Sequence, residues 1–178
     1  GLPVTAVAGA SRAIEYGERH GAAEFAWFML DVAQSPELLV CTVEHRTPAL
    51  VFQPTVQRQP NGATALESVL LVVADPVREA GRFHGLFGGE REATADGVRC
   101  VADGECLELV SPAAFAARYP GVERHAVPGA GAMTIRCRDL AALRARLAEA
   151  GVASHGDRRS AWVAPGAAGG VVVEFTGA

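Results

Sequence analysis

Lysine is missing altogether: all sixteen cationic side chains in the 178 residues are arginine. They are scattered rather than clustered, and the formal net charge is -4. No basic field exists to hold phosphates, which argues against nucleic acid as a partner. The abundance of Ala, Gly and Val beside an all-Arg cation set reads as the bias of a high-GC coding sequence. Cysteine is sparse, four residues in all. Cys41, Cys100, Cys106 and Cys137 sit singly in apolar runs with no CxxC spacing, which predicts buried, reduced thiols rather than a secreted disulfide framework. No run of eighteen apolar residues occurs, and GLPVTAVAGASR lacks the charged start and apolar core of a signal peptide. The expectation is a soluble, cytoplasmic, bacterial-type protein that does not engage membranes. No GxSxG nucleophile motif is present, and the glycines of GGERE and GAAGG do not lead from a strand into a helix as a phosphate loop would.

What is present is ordinary globular material, 49% hydrophobic and 20% charged, in a chain long enough for one substantial domain and part of another. Strand and helix periods mark a repeat. LESVLLVVAD leads into DPVREAGRFHGLFGG and then short strands around GVRCVAD and ECLELVS. GAMTIRCRD leads into DLAALRARLAEAG and then VASH, SAWVAP and GVVVEFTG. Asp75 and Asp139 each end a strand where a carboxylate can cap the next helix, and Pro76 suits a first helical turn. Leu140, Leu143, Leu147 and Ala150 share one helical face, and Gly151 is placed to stop that helix. The expected fold is α+β: paired βαβββ modules over residues 66–110 and 130–176, their strands in a curved, cup-shaped mixed sheet with helices on the convex side.

Residues 1–54 look like the closing strands of an incomplete preceding module, because Gly1-Leu2 starts as Gly151-Val152 does after its helix. The strands expected there lie around PVTAV, AEFAWFML and LLVCTVEH. Residues 55–65 read as a linker containing an Asn-Gly turn, and residues 66–178 as the two-module domain. SPAAFAARYP, from Ser111, reads as a short capped helix joining the modules, followed by the loop GVERHAVPGAG.

These paired modules, together with EHRTPALVFQP followed by QRQPNGA, resemble the vicinal oxygen chelate superfamily: glyoxalases, bleomycin-resistance proteins and extradiol dioxygenases. The likeness to bacterial glyoxalase-like domain proteins extends over nearly the whole chain. It implies an open cup in which metal enzymes place His, Gln or Glu ligands on the first and last strands of each module. It also implies that a complete protein carries a further N-terminal half. Fold alone does not assign the reaction.

Period-two alternation aims side chains independently of that resemblance. Met133, Ile135 and Cys137, then Val171, Val173 and Phe175, then Leu107 and Leu109, belong under the helices. The concave set is therefore Ala132, Thr134 and Arg136; Val172, Glu174 and Thr176; and Cys106, Glu108 and Val110. Glu108 and Glu174 are expected at matching positions, one per module, as the catalytic candidates, each on a polar strand face where Arg99 or Arg136 can pair with it. The first-strand positions align as Ser68 and Ala132, which lack strong metal donors. Arg136 and Thr134 are candidate anchors for a carboxylate or phenolate, with Ser68, Trp162 and His45 as further ligand-binding candidates. Glu108, Glu174 and His45 form an incomplete candidate metal set, so the cofactor reading is either none or a divalent ion. Glu44 and His45 point to opposite faces of one strand, and the strand end before Thr47-Pro48 suits two solvated side chains equally well. Trp27 and Trp162 suit core packing or an apolar ligand wall. His20, His84, His125 and His155 lie in polar or loop contexts.

Three functions follow as expectations. One is a metal-free protein binding a small organic molecule in the cup. Another is a metal-dependent lyase, isomerase or dioxygenase. The last is a non-catalytic binding or resistance-type module that self-associates, as a homodimer, through unpaired strand edges.

Overall fold

A computed structural model describes residues 3–123 and 127–177. Gly1-Leu2, used in the repeat comparison, and His125 lie outside them. The chain divides into two units, Gly1–Pro60 and Asn61–Ala178.

The first unit is a three-stranded antiparallel sheet in the order β1-β2-β3, formed by β1 (Ala8–Ile14), β2 (Gly21–Met29) and β3 (Cys41–His45), followed by the short helix α1 (Pro48–Val51). The first strand begins at Ala8, beyond the PVTAV segment expected to form it, because Ala8 to Ile14 is the stretch in continuous register with β2. Val4 contributes only an isolated bridge to Leu30. Gln53, 2% exposed, holds the β1–β2 connection. Its Oε1 accepts from the amides of Glu18 and Arg19, while Nε2 donates to the carbonyls of Tyr16, Arg19 and Leu50. Gly17 sits there at φ 74°, where a Cβ would fall 2.5 Å from Gln53 Oε1. Trp27 is half-buried on the central strand.

The second unit carries the repeat. Its first module is β4 (Ala63–Val72), α2 (Pro76–Phe87), β5 (Glu90–Ala93), β6 (Gly97–Ala102) and β7 (Glu105–Val110). After α3 (Pro112–Arg118) comes the second module: β8 (Gly129–Cys137), α4 (Leu140–Glu149), β9 (His155–Gly156), β10 (Ser160–Val163) and β11 (Val172–Gly177). Asp75, Ser111 and Asp139 cap α2, α3 and α4 by accepting from the amides of Arg78, Ala114 and Ala142. The eight strands form one open curved sheet in the order β5-β6-β7-β4-β8-β11-β10-β9, the two modules meeting at the antiparallel β4–β8 pair.

Alternation divides this sheet into two faces. Beneath α4 lie Ile135, Cys137, Val163, Val173 and Phe175, packed on Leu140, Leu143 and Leu147. On the opposite, inner face Leu70, Val72, Val110, Ala132, Trp162 and Val172 form a second cluster with Phe115 and Tyr119 of the α3 segment. The inner face is therefore not an empty hollow over its whole length: α3 folds onto it and buries Phe115 and Tyr119 to 2% and 0% exposure. Two of the four thiols, Cys100 and Cys137, are buried as expected, whereas Cys106 is half-buried and Cys41 is exposed on β3. Cys41 departs from the expectation because β3 is an edge strand with little packed against it.

Candidate functional site

Register fixes the polar row on the inner face. Ser68 pairs with Thr134, Thr134 with Glu174, Glu174 with Trp162 and Trp162 with His155. One residue pair along the sheet, Glu108 stands opposite Arg99 on one side and Leu70 on the other. The first-strand residues directly opposite the two glutamates are thus Leu70 and Thr134. Ala132, aligned from the sequence with a ligand position, instead pairs with Leu70 and Val172 in the apolar cluster.

The structure brings Glu108 and Glu174 together through a residue that the strand pattern did not select. Arg118, at the last turn of α3, donates from Nη1 to Glu108 Oε2 at 2.9 Å and from Nη2 to Glu174 Oε2 at 2.8 Å. The Tyr119 hydroxyl donates to the same Glu174 oxygen at 2.7 Å, and the Ser68 hydroxyl to Glu108 Oε1 at 2.7 Å. Charge-assisted bonds of this kind are about twice as strong as neutral ones, and a guanidinium fork fixes their geometry. Burial pushes the Arg118 guanidinium down, but its interactions with Tyr119, Glu108 and Glu174 outweigh that and hold it above its ordinary value. Burial pushes the Tyr119 phenol well up, and the hydrogen bond to Glu174 raises it further against the pull of Arg118. Tyr119 is therefore a fixed donor and Arg118 a fixed cation.

Arg136 does not pair with Glu174. Its guanidinium meets Glu67, Nε to Oε1 at 2.7 Å, and Thr176 donates to the other Glu67 oxygen. A register irregularity between Leu66 and Ser68 explains this: Leu66 pairs with Ile135 on the helix side, Ser68 with Thr134 on the inner side, and Glu67 turns inward with Ser68. Burial pushes the Glu67 carboxyl up, but the Thr176 hydrogen bond and Arg136 outweigh it and hold Glu67 below the usual carboxylate range, with Arg99 adding to the effect. Arg99 and Arg136 thus flank one carboxylate, and their side chains remain 44% and 52% exposed.

Of the predicted ligand-contacting residues, Ser68, Thr134 and Trp162 are each under a tenth exposed. Trp162 packs edge-on against Tyr119 and stacks on His155, a core role with one wet neighbour. Arg136 is the inner-face candidate that solvent reaches freely. His45 belongs to the first unit, on β3, its ring edge-on to Phe25 and Phe52 and its Nδ1 buried without a partner. Glu44 beside it pairs with Arg46 at 3.1 Å on the exposed surface.

These residues do not fit a divalent ion. Glu108 and Glu174 are engaged by one guanidinium, Glu67 is held by Arg136 and Thr176, and the strand positions opposite the first two offer a Leu and a Thr. Among the described residues no group of three or more His, Cys, Asp or Glu side chains converges. Three or more strong protein donors are what a catalytic metal needs. Arg118 and Tyr119 were legible only as spacing: Phe115, Arg118 and Tyr119 stand at i, i+3 and i+4, one face of the helix.

No protein-family model matches the chain, and no curated protein matches it. Solved structures do. Methylmalonyl-CoA epimerase from Mycobacterium tuberculosis, a member of the vicinal oxygen chelate superfamily, superposes with a TM-score of 0.52 at 22% identity, over 67% of this chain and 91% of that one. A hypothetical protein from Staphylococcus aureus superposes with a TM-score of 0.61 at 7% identity, over 99% of this chain and 57% of that one. With the two βαβββ modules in hand, these likenesses give the chain the vicinal oxygen chelate fold.

Proposed function

We propose that the Asn61–Ala178 unit is a metal-independent binding module for a small organic anion, seated on the open part of the inner face beside Arg136 and Arg99. The observation carrying this reading is the Arg118 guanidinium held by both Glu108 and Glu174: the two last-strand carboxylates are committed to one fixed internal cation. Phe115 and Tyr119 fill the adjoining inner face, so the ligand's place is toward Glu67, where the half-exposed guanidiniums of Arg136, paired with Glu67, and Arg99, 4.0 Å from Glu92, present N–H donors to solvent. A carboxylate or phenolate can accept from such planar guanidinium donors.

The test is a thermal-shift screen of small carboxylates and phenols, run in chelator and again with zinc, nickel, manganese or iron. Ligands that stabilise the protein equally in both, and that lose their effect in Arg136→Ala, support the reading. Hits that require a metal, or an ion retained stoichiometrically after dialysis, overturn it.

The same reading takes Gly1–Pro60 as the last three strands of a further module and as a surface for self-association. Supporting this, β1-β2-β3 is a sequential antiparallel meander like β5-β6-β7 and β9-β10-β11. Six of seven β1 residues are exposed, and Val4, Val7, Leu39, Val43 and Phe52 present apolar surface. A mass that rises with concentration in light scattering is expected; a monomer at all concentrations removes the proposal.

A further inference from the structure

A second candidate site lies on the other face of the sheet. Between the C-terminal end of α2 and strands β4, β6 and β7 is a cavity of about 230 Å³. Its walls are Leu66, Val69, Phe87, Cys100 and Leu107, with Glu105 at its edge. Register places the walls on the helix side: Val69 pairs with Leu107, Leu107 with Cys100, and the Cys100 thiol reaches the Ala80 carbonyl of α2. Its apolar walls are therefore on the face opposite the Arg118 network, although Ser68, whose hydroxyl donates to Glu108, and Cys106 also line it.

The second module shows what normally fills this place. After α4 the chain turns at Gly151, and Val152 packs into the cluster beneath the helix. After α2 the corresponding turn is Gly88-Gly89, both at positive φ, which supplies no side chain. Val69 and Leu107, apolar residues within their strands, stay half-buried as a result, while Leu66 and Phe87 stand at 48% and 50% exposure around the opening.

We infer that this cavity binds a small hydrophobic amine. Its volume is about eight times a water molecule's share of the liquid, below that of a drug-sized pocket. The walls take an apolar body of that size, and the polarity of the rim selects the charge at its end. Glu105 is the one charged residue in the lining, and among the described residues its carboxylate has no hydrogen-bond or ion-pair partner. Phe87 and Gly88 also bring the C-terminal end of α2 to the cavity, where unpaired carbonyls favour cations. Both features favour an ammonium and oppose a carboxylate.

The experiment uses the full chain, labelled with ¹⁵N, titrated with 2-phenylethylamine, 2-phenylethanol and phenylacetate. Expected is a saturable shift of the Leu66, Ala102 and Leu107 amides with the amine, weaker binding of the alcohol by about three- to five-fold, as a partly exposed charge pair provides, and no saturation with the acid. In Glu105→Gln the amine and alcohol become equal. Ala102→Leu places a larger side chain in the cavity and abolishes binding. Leu66→Ala, a change at an exposed position, weakens it without a folding cost and serves if Ala102→Leu does not fold. Absence of saturable shifts with all three compounds, equal binding of acid and amine, or a preference that survives Glu105→Gln overturns the assignment. None of these outcomes decides the inner-face proposal, which is tested at Arg136 with an anionic ligand.

Discussion

At the scale of single residues, Arg118 decides the character of the inner face. Its side chain is 28% exposed and its partners Glu108 and Glu174 are 17% and 9% exposed, so solvent compensates little if the cation is removed. Arg118→Gln should cost about 2–4 kcal/mol of unfolding free energy, most of it from two carboxylates left facing each other. Adding Glu108→Gln to that variant should recover part of the loss, which separates an electrostatic origin from a packing one; denaturant unfolding of both proteins measures it. Glu67 makes a pH-dependent contribution. Because its carboxyl is held below its ordinary value of 4.5, the unfolded chain binds more protons than the folded one in the window just below that pH. The stabilisation is present above 4.5 and disappears as pH falls through the folded value. Wild type should therefore exceed Glu67→Gln in stability at pH 7, and the gap should close on acidification below about 4.5. A gap that widens in acid would contradict the Glu67 assignment.

At the scale of elements, α3 is where sequence reasoning stopped short. Capping by Ser111 and the Pro112 start were visible in SPAAFAARYP, and so was a helix joining the modules. Its docking was not, because seven residues with no long apolar stripe do not announce which surface they cover. Strand alternation, in contrast, was legible: it separated Val173 and Phe175 from Val172 and Glu174 correctly, since a buried face on each side of the sheet forces period two. The partner of Arg136 differs from the expectation for a specific reason. An irregularity in pairing puts two consecutive residues on one face, and nothing in ALESVLL marks it. Arg136 consequently found Glu67 rather than Glu174. If α3 is held to the inner face by Phe115, then Phe115→Ala should destabilise the unit by about 3–5 kcal/mol and speed amide exchange throughout α3. Exchange that accelerates in the strands but not in α3 would show that the helix is anchored by Arg118 and Tyr119 instead.

At the scale of the whole molecule, the two units differ in how much they can bury alone. The paired βαβββ plan of the second was legible because its helices carry caps and its strands repeat at matched spacing. The first unit shows itself in the sequence through strand patterns only, and PVTAV, with the composition of a strand, makes isolated bonds to Met29, Leu30 and Asp31 while the continuous register begins at Ala8. Among the described residues of Gly1–Pro60 the buried apolar side chains are Ile14, Ala23, Ala26 and Leu30, two of them alanines. A three-stranded sheet with so little to bury is marginal on its own. Asn61–Ala178 has an apolar cluster on each face of an eight-stranded sheet, bridged on one side by the Arg118 network. Residues 61–178 expressed alone should therefore unfold in one cooperative transition and show a dispersed amide spectrum, with Glu174 still bonded to Tyr119. Residues 1–60 alone should be unfolded when dilute. If 61–178 instead lacks a cooperative transition while the full chain keeps one, the second unit draws stability from the first, and treating the inner-face site as complete within its own unit fails with it.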